Sequence, residues 1–273
     1  MIDPADPTDP TDPTDPKQRF SNRVDDYVRY RPGYPDALVA LLVSEAHLAE
    51  AADATGSARV VDVGAGTGIL TRQLLAALGP HALVSGIEPN RAMRGAAERG
   101  AGGDPRFESV AGSAEATGLP AASADLVVAA QAFHWFDPPR ARAEFDRILK
   151  PAGVVALAWN QRADTPLNRE YEEMLERFAP DYANVREGDR ASEAKIRSFF
   201  APASPRRAMF DNEQRFDEAG IRGRLLSSSY CPPARDPKHA PIMQRLGEIF
   251  RRHARDGMVT IAYDTVVWYG RLA

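Results

Sequence analysis

The sequence has a single cysteine, Cys231, in 273 residues. That excludes an internal disulfide framework and any zinc cluster built on cysteines. Long apolar runs are missing too. The longest are strand-length and broken by glycine or charge, so none suits a bilayer crossing. The N-terminal residues are acidic and proline-rich and lack an apolar h-region, so a secretory signal is not expected and the expected location is cytoplasmic. There is no basic excess: the net charge is −4, which argues against a nucleic-acid partner, whose phosphates need a basic surface. What remains is 44% hydrophobic and 26% charged, an ordinary globular balance. The length suits one large domain, or a core carrying an insertion.

Residues 3–16 read DPADPTDPTDPTDP, with proline at every third position. Proline there blocks both helix and ladder hydrogen bonds, and no side chain could build a core, so residues 1–17 are expected to be a disordered tail. Order is expected from about Phe20. Arg23 to Arg31 reads as a short helix ended by Pro32, Gly33 and Pro35, and Asp36 to Leu48 as an amphipathic one. These form an N-terminal helical lid over 18–58. Strands and helices then alternate across a core at 59–160. The expected strands are Arg59–Val63, Ala82–Ile87, Arg106–Ala111, Asp125–Ala130 and Gly153–Trp159. The uninterrupted apolar run at Asp125–Ala130 suits a parallel sheet covered on both faces. Such alternation implies right-handed crossovers and an α/β, doubly wound, Rossmann-like sheet. After Asn160 the rhythm changes. A mostly helical cap is expected over 161–205, inserted after the fifth strand. Residues 206–273 should return to the core with two further strands, giving seven in all, and with inserted helices near Asp217–Ser227 and Lys238–Arg255.

The stretch VVDVGAGTGIL, Val60 to Leu70, carries the chemistry. A strand ends, the backbone pinches at Gly64, Gly66 and Gly68, and a helix begins. A dinucleotide fingerprint would place its third glycine one residue later, and a triphosphate loop would end in a lysine that is not here. Asp62 stands inside the strand, where a pyrophosphate site would gain nothing from a carboxylate but a ligand ammonium could. Glu88, at the end of the second strand, is placed to accept bonds from both hydroxyls of a ribose. A nucleoside with a cationic tail and no phosphates satisfies all of this. S-adenosylmethionine (SAM) is such a molecule.

VVDVGAGTG, IEPN, GSAEATGLP, DLVVAAQAFHWFD and ILKPAGVVALAWN together resemble the successive motifs of class I SAM-dependent methyltransferases. More narrowly they resemble the type 11 group, which includes relatives of trans-aconitate methyltransferase. The resemblance covers Phe20 to about Asn160. It implies that Gly64, Ala65, Gly66 and Gly68 approach the methionine moiety, that Asp62 orients the loop and the amino group, and that Glu88 holds the ribose. Pro89 and Asn90 would flank the adenine, and Gly112, Ser113, Ala114 and Glu115 would form the turn at its edge. Gln131, Ala132 and His134 would face the methionine and the acceptor. YVRYRPGYP resembles a family lid in which Tyr27, Tyr30 and Arg31 close over SAM. Asp137-Pro138-Pro139 is read as a helix cap with proline in the first turn, since Arg140 follows where a base-stacking aromatic would be needed.

The sulfonium already makes SAM electrophilic, so the acceptor has to be inferred from the cap. In LNREYEEMLERF, Leu167, Tyr171, Met174, Leu175 and Phe178 form one apolar stripe. At about 100° per residue, Glu170 falls on its edge while Glu172, Glu173 and Glu176 point away. Glu170 is therefore the expected pocket carboxylate, and Glu170 and His134 are the candidate catalytic groups. Tyr30, Trp135, Trp159 and Tyr171 are candidate acceptor contacts within an aromatic cluster that also includes Phe136, Phe199 and Phe200. A π-walled pocket with one carboxylate suits C-methylation of an alkene, where aromatic faces stabilise a cation and the base removes a proton. With Arg29, Arg31, Arg162 or Arg169 at the mouth, a prenyl (geranyl-type) diphosphate is the most specific acceptor expected, and only then would Mg²⁺ take part. No other metal site is expected. The alternatives are O-methylation of a small carboxylic acid, N-methylation of a secondary metabolite, and a non-catalytic SAM-binding protein.

Overall fold

Val60, Val61 and Val63 are fully buried in strand β1 (Ala58–Val63), which lies at the middle of a sheet covered on both sides. The computed structural model describes residues 24–55, 57–182 and 193–272. The proline repeat at 1–17, Phe20 and Arg23 lie outside them. Seven strands form one sheet in the order β3-β2-β1-β4-β5-β7-β6. The others are β2 (Ala82–Ile87), β3 (Phe107–Val110), β4 (Ala124–Ala130), β5 (Leu149–Arg162), β6 (Arg206–Phe216) and β7 (Val259–Gly270). The first five pair in parallel, and β7 runs antiparallel between β5 and β6. Strand order reverses at β1 and β4, and ligands bind in the crevice beyond the carboxyl ends of such a pair.

The two-residue period of the strands separates two cores. Val60, Val84, Leu126, Val128 and Ala156 face α2 (Asp36–Glu45) and α4 (Ile69–Ala77) through Leu38, Leu42, Leu70 and Leu74. Val61, Val127, Ala129, Val155 and Leu157 face α6 (Pro138–Ile148) and α8 (Glu193–Phe200) through Phe145, Ile148, Phe199 and Phe200. The remaining core helices are α1 (Val24–Tyr30), α3 (Leu48–Thr55) and α5 (Arg91–Ala101). Asp137 caps α6, accepting from the Arg140 N–H at 3.3 Å with Pro138 in the first turn, as the sequence implied.

Three features differ from expectation. The helix expected over Asp36–Leu48 breaks into α2 and α3 at His47, whose φ is 48°. The helices expected near Asp217–Ser227 and Lys238–Arg255 are present, but they join the cap instead of lying apart from it. Its α7 (Pro166–Phe178) packs on α10 (His239–His253), which together with α9 (Glu218–Leu226) lies between β6 and β7. These helices share a third core, with Tyr171, Leu175, Ile221, Leu225, Ile242 and Leu246. Phe199 and Phe200 belong to the second core rather than to any acceptor site, because α8 packs on α6 behind the sheet. Among the described residues no helix is long and apolar enough to cross a membrane.

Candidate active site

The glycine turn leaves β1 with φ of 72° at Gly64, 57° at Gly66 and 74° at Gly68, a left-handed region that disfavours any side chain. A Cβ on Gly64 would stand 2.4 Å from the Ala132 Cβ, so the loops after β1 and β4 meet with no room between them. The Gly64 and Ala65 N–H groups donate to the Ile87 carbonyl at 2.9 and 3.1 Å, tying the turn to the end of β2. Gly64, Ala65 and Gly66 line a cavity of 420 Å³ beyond the carboxyl ends of the strands. Gly68 does not line it. Its Cβ would meet the Ala97 Cβ at 3.0 Å, so this glycine lets α4 and α5 approach and does not contact a ligand.

Two buried carboxylates stand at the turn. Asp62 is 2% exposed, accepts from the Thr71 hydroxyl at 2.7 Å and lines the cavity. Burial pushes its carboxyl up to about 6, against the hydrogen bond from Thr71. Glu88 accepts from the Gly66 N–H at 2.9 Å and the Asn90 N–H at 2.8 Å, one on each oxygen. Burial likewise raises its carboxyl, partly opposed by those two bonds. Asn90 in turn caps α5, accepting from the Ala92 and Met93 N–H groups. Each carboxylate is thus fixed by the fold, and both residues line the cavity.

Pro89, Asn90, Ser113, Ala114 and Gln131 line the same cavity, as do Tyr27 and Arg31 of the lid and His134, Trp135 and Trp159 beyond it. Gln131 follows β4 with φ of 58°, a strained conformation for a residue with a side chain, and its amide donates to the Asn160 carbonyl at 3.0 Å. Among the described residues the buried indole N–H of Trp159 has no hydrogen-bond partner. The lid is held from both sides. Arg31 donates to the Ser227 carbonyl at 3.2 Å, its guanidinium lies 4.7 Å from the Tyr27 ring centroid, and Asn160 and Asn212 both donate to the Gly33 carbonyl.

Three expected acceptor-side residues are elsewhere. Glu170 does not reach the cavity. It pairs with Arg252 at 2.8 Å, Arg245 at 3.1 Å and His253 at 2.9 Å, all on α10. The hydrogen bond from His253 is the largest influence holding its carboxyl below the usual range, aided by Arg252 and opposed by desolvation. The physical reason is that α7 is buried on two sides: its apolar stripe enters the cap core, Glu170 flanks α10, and the other flank faces the cavity. That flank carries Glu172, which lines the cavity and pairs with Arg162 at 3.2 Å, contrary to the expectation that it points away. Tyr171 is 1% exposed in the cap core and does not line the cavity. Tyr30 packs flat on α9, where a Cβ on Gly223 would stand 2.2 Å from its ring. Of the arginines expected at the mouth, Arg31 and Arg162 line the cavity. Arg169 pairs with Asp164 outside it, and Arg29 lies 5.3 Å from the Tyr30 ring.

Sequence reasoning missed Tyr182, Arg224, Ser229, Tyr230 and Tyr263, which close the cavity from the cap side. Tyr182 follows α7, and Tyr263 sits in β7. The other three lie at and after the end of α9. No local motif marks them, and only the packing of the second insertion brings them in.

A methyltransferase domain family matches residues 61–157. An uncharacterized methyltransferase-like protein of Schizosaccharomyces pombe is 32% identical over 163 residues, and the match spans 59% of each chain, less than two thirds of that relative's length. The ubiquinone/menaquinone biosynthesis C-methyltransferase of Methylobacterium nodulans is 34% identical over 186 residues, covering 63% of this chain and 70% of the relative. Among solved structures, a candidate type II methyltransferase from Anaeromyxobacter dehalogenans superposes with a TM-score of 0.65 at 25% identity, covering 89% of this chain and 98% of the other.

Proposed function

The chain belongs to the class I SAM-dependent methyltransferases of the type 11 group, and from that premise we propose that it methylates an oxygen of a small carboxylic acid. Bound SAM supplies a methyl group already activated by the sulfonium. The chain's own residues then bind, orient and exclude water. In this reading Asp62 faces the amino end, Glu88 receives the ribose hydroxyls, and Pro89, Asn90, Ser113 and Ala114 border the adenine. Gly64 and Gly66 hold the left-handed φ the turn needs, and a Cβ on Gly64 would strike Ala132, so the two glycines keep the turn in the shape expected of a cradle for SAM. Tyr27 and Arg31 cover it. The acceptor lies among His134, Trp135 and Trp159, under the cap.

The observation that carries the choice of acceptor is the state of the cap carboxylates. Glu170 is held by three basic groups on α10, and Glu172 is paired with Arg162. Alkene methylation needs a base to remove a proton, a role neither cap carboxylate can take without leaving its partners, whereas a carboxylate acceptor is deprotonated at neutral pH and needs none. A prenyl diphosphate, with its Mg²⁺, would require Glu172 to leave Arg162 before it could act as base. A second reading rests on His134, which lines the cavity and would take the proton from a hydroxyl or amine acceptor. The test is incubation with methyl-labelled SAM and a panel of organic acids, amines, quinols and prenyl diphosphates with Mg²⁺, read by mass spectrometry. Methyl ester formation is the expected result. Label appearing only in a diphosphate, quinol or amine product refutes the carboxylate assignment.

Glu170→Gln is expected to leave kcat and KM within about twofold of wild type and to lower stability by about 1–2 kcal/mol. Because the folded carboxyl lies below its ordinary value, its contribution is present above that ordinary value and fades as pH falls through the folded one. Melts at pH 7 and pH 3 check this: the deficit of the variant should shrink at the lower pH. Loss of turnover with normal stability would return Glu170 to the catalytic role.

Asp62 has the opposite sign. Its folded value of about 6 lies above the ordinary 3.8, so the ligand-free chain loses stability as pH rises from about 4 through 6. A ligand ammonium pairs with the ionised form. S-adenosylhomocysteine (SAH), which keeps that ammonium, should therefore bind more weakly as pH drops below about 6, approaching tenfold per pH unit. Calorimetry from pH 5.0 to 7.5 measures it, and a flat profile rules out Asp62 as the ammonium partner.

A further inference from the structure

We propose that Arg224 and Arg162 form an anion seat at the cap end of the cavity, holding a carboxylate or phosphate group of the acceptor that is distinct from the atom methylated. The inference rests on the methyltransferase reading above and concerns the acceptor half of the same site. Arg224 is carried on α9, is 4% exposed and lines the cavity. One terminal nitrogen donates to the Ser228 hydroxyl at 3.2 Å and the guanidinium also bonds Tyr263, while its Nε–H is buried with no hydrogen-bond partner among the described residues. Arg162 enters from the end of β5. It keeps its pair with Glu172 at 3.2 Å through Nε and its bond to Tyr182, and its guanidinium lies 5.5 and 5.6 Å from the ring centroids of Tyr171 and Tyr182.

The charge count decides the ligand class. Arg31, Arg162 and Arg224 all line this part of the cavity, and the carboxylate that faces them is Glu172. The other lining carboxylates, Asp62, Glu88 and Glu115, stand at the glycine turn and at the turn after β3. Among the described residues Arg224 is in no ion pair, and it lies buried in a region walled by tyrosines, where a charge without an anionic partner is costly. Tyr230 registers the same field: burial pushes its phenol up, yet Arg162, Arg224 and Arg31 more than offset this and leave it below its usual value. A guanidinium presents a planar fork of donors matched to the oxygens of carboxylate or phosphate.

An anion gripped by two guanidinium groups has its lone pairs engaged and its charge neutralised, which makes it a poor nucleophile. The group in the seat is thus an anchor. The reacting oxygen must be a second group on the same molecule, placed toward His134 and Trp159. For the carboxylic-acid reading, this means that the acceptor carries at least two anionic groups.

The experiment uses the full chain saturated with SAH and calorimetric titration of succinate, glutarate, inorganic phosphate and pyrophosphate, with neutral succinamide as control. At least one anion should bind wild type while succinamide does not, and the arm that binds identifies carboxylate or phosphate. Arg224→Met should weaken that anion roughly 30-fold or more with SAH affinity unchanged, and Arg224→Lys should fall between. Should the methionine variant fail to fold, the lysine variant carries the comparison. Wild type that binds SAH but none of the four anions overturns the seat and leaves the methyltransferase reading standing. So does equal anion affinity in wild type and variant. Failure of wild type to bind SAH counts against the parent reading instead.

Discussion

Gly64→Val is expected to weaken SAH binding by roughly 30-fold to several thousandfold. Gly64 holds φ of 72°, and a side chain there costs about 1–2 kcal/mol before any contact is considered. Its Cβ would also stand 2.4 Å from the Ala132 Cβ, so one of the two loops must move. Overpacking of that kind adds roughly 1–3 kcal/mol. The loops displaced are those after β1 and β4, which carry Asp62, Gly66 and Gln131 at their edges. A combined cost of about 2–5 kcal/mol corresponds to a loss of affinity of roughly 30-fold to several thousandfold. Gly68→Ala is the informative contrast. It has the same left-handed φ, but its new methyl meets Ala97 between α4 and α5, so it should lower the melting temperature with little change in SAH affinity. Calorimetry and thermal melts on both variants measure the two effects, and SAH binding by Gly64→Val with wild-type affinity would remove the glycine turn from the ligand site.

Glu88→Ala is expected to weaken SAH by about 100-fold or more. The carboxylate accepts from two backbone donors, Gly66 N–H and Asn90 N–H, and each such donor left unsatisfied costs about 1–3 kcal/mol. With the carboxylate removed, the turn loses its tie to β2 through Gly66, and the ligand loses an acceptor for its ribose hydroxyls. Glu88→Gln keeps one oxygen and should fall between the two. Removing the 2′- and 3′-hydroxyls from the ligand should cost wild type far more than it costs Glu88→Ala. Equal losses in both proteins would show that the carboxylate shapes the turn without touching the sugar.

Much of the site was legible in the sequence because it is encoded locally. Asp62, the glycines and Glu88 sit at strand ends, and a strand end is marked by where the apolar run stops and the turn residues begin. The same holds for Asp137 and Pro138, whose capping role needs only the next three residues. Gly68 shows the limit of that logic. Its backbone conformation follows from the motif, but what its missing Cβ makes room for, Ala97 on another helix, does not.

The cap illustrates the rest. The periodicity of α7 correctly identifies Leu167, Tyr171, Met174 and Leu175 as its buried stripe. Periodicity says which residues share a face and nothing about what lies beside that face. Glu170 and Glu172 flank the same stripe. One meets Arg245, Arg252 and His253, from 75 to 83 positions later in the chain, and the other meets Arg162 and the cavity. The order of apolar and polar residues along the chain thus determined the parallel sheet, the glycine turn and the two carboxylates beside it, since period, turn geometry and capping act over a few neighbouring residues. Packing of α9 and α10 against α7 decided where Glu170 points and brought Arg224 and Tyr230 to the cavity. Those contacts join segments far apart in sequence, and a side chain's charge compensation depends on every element that surrounds it.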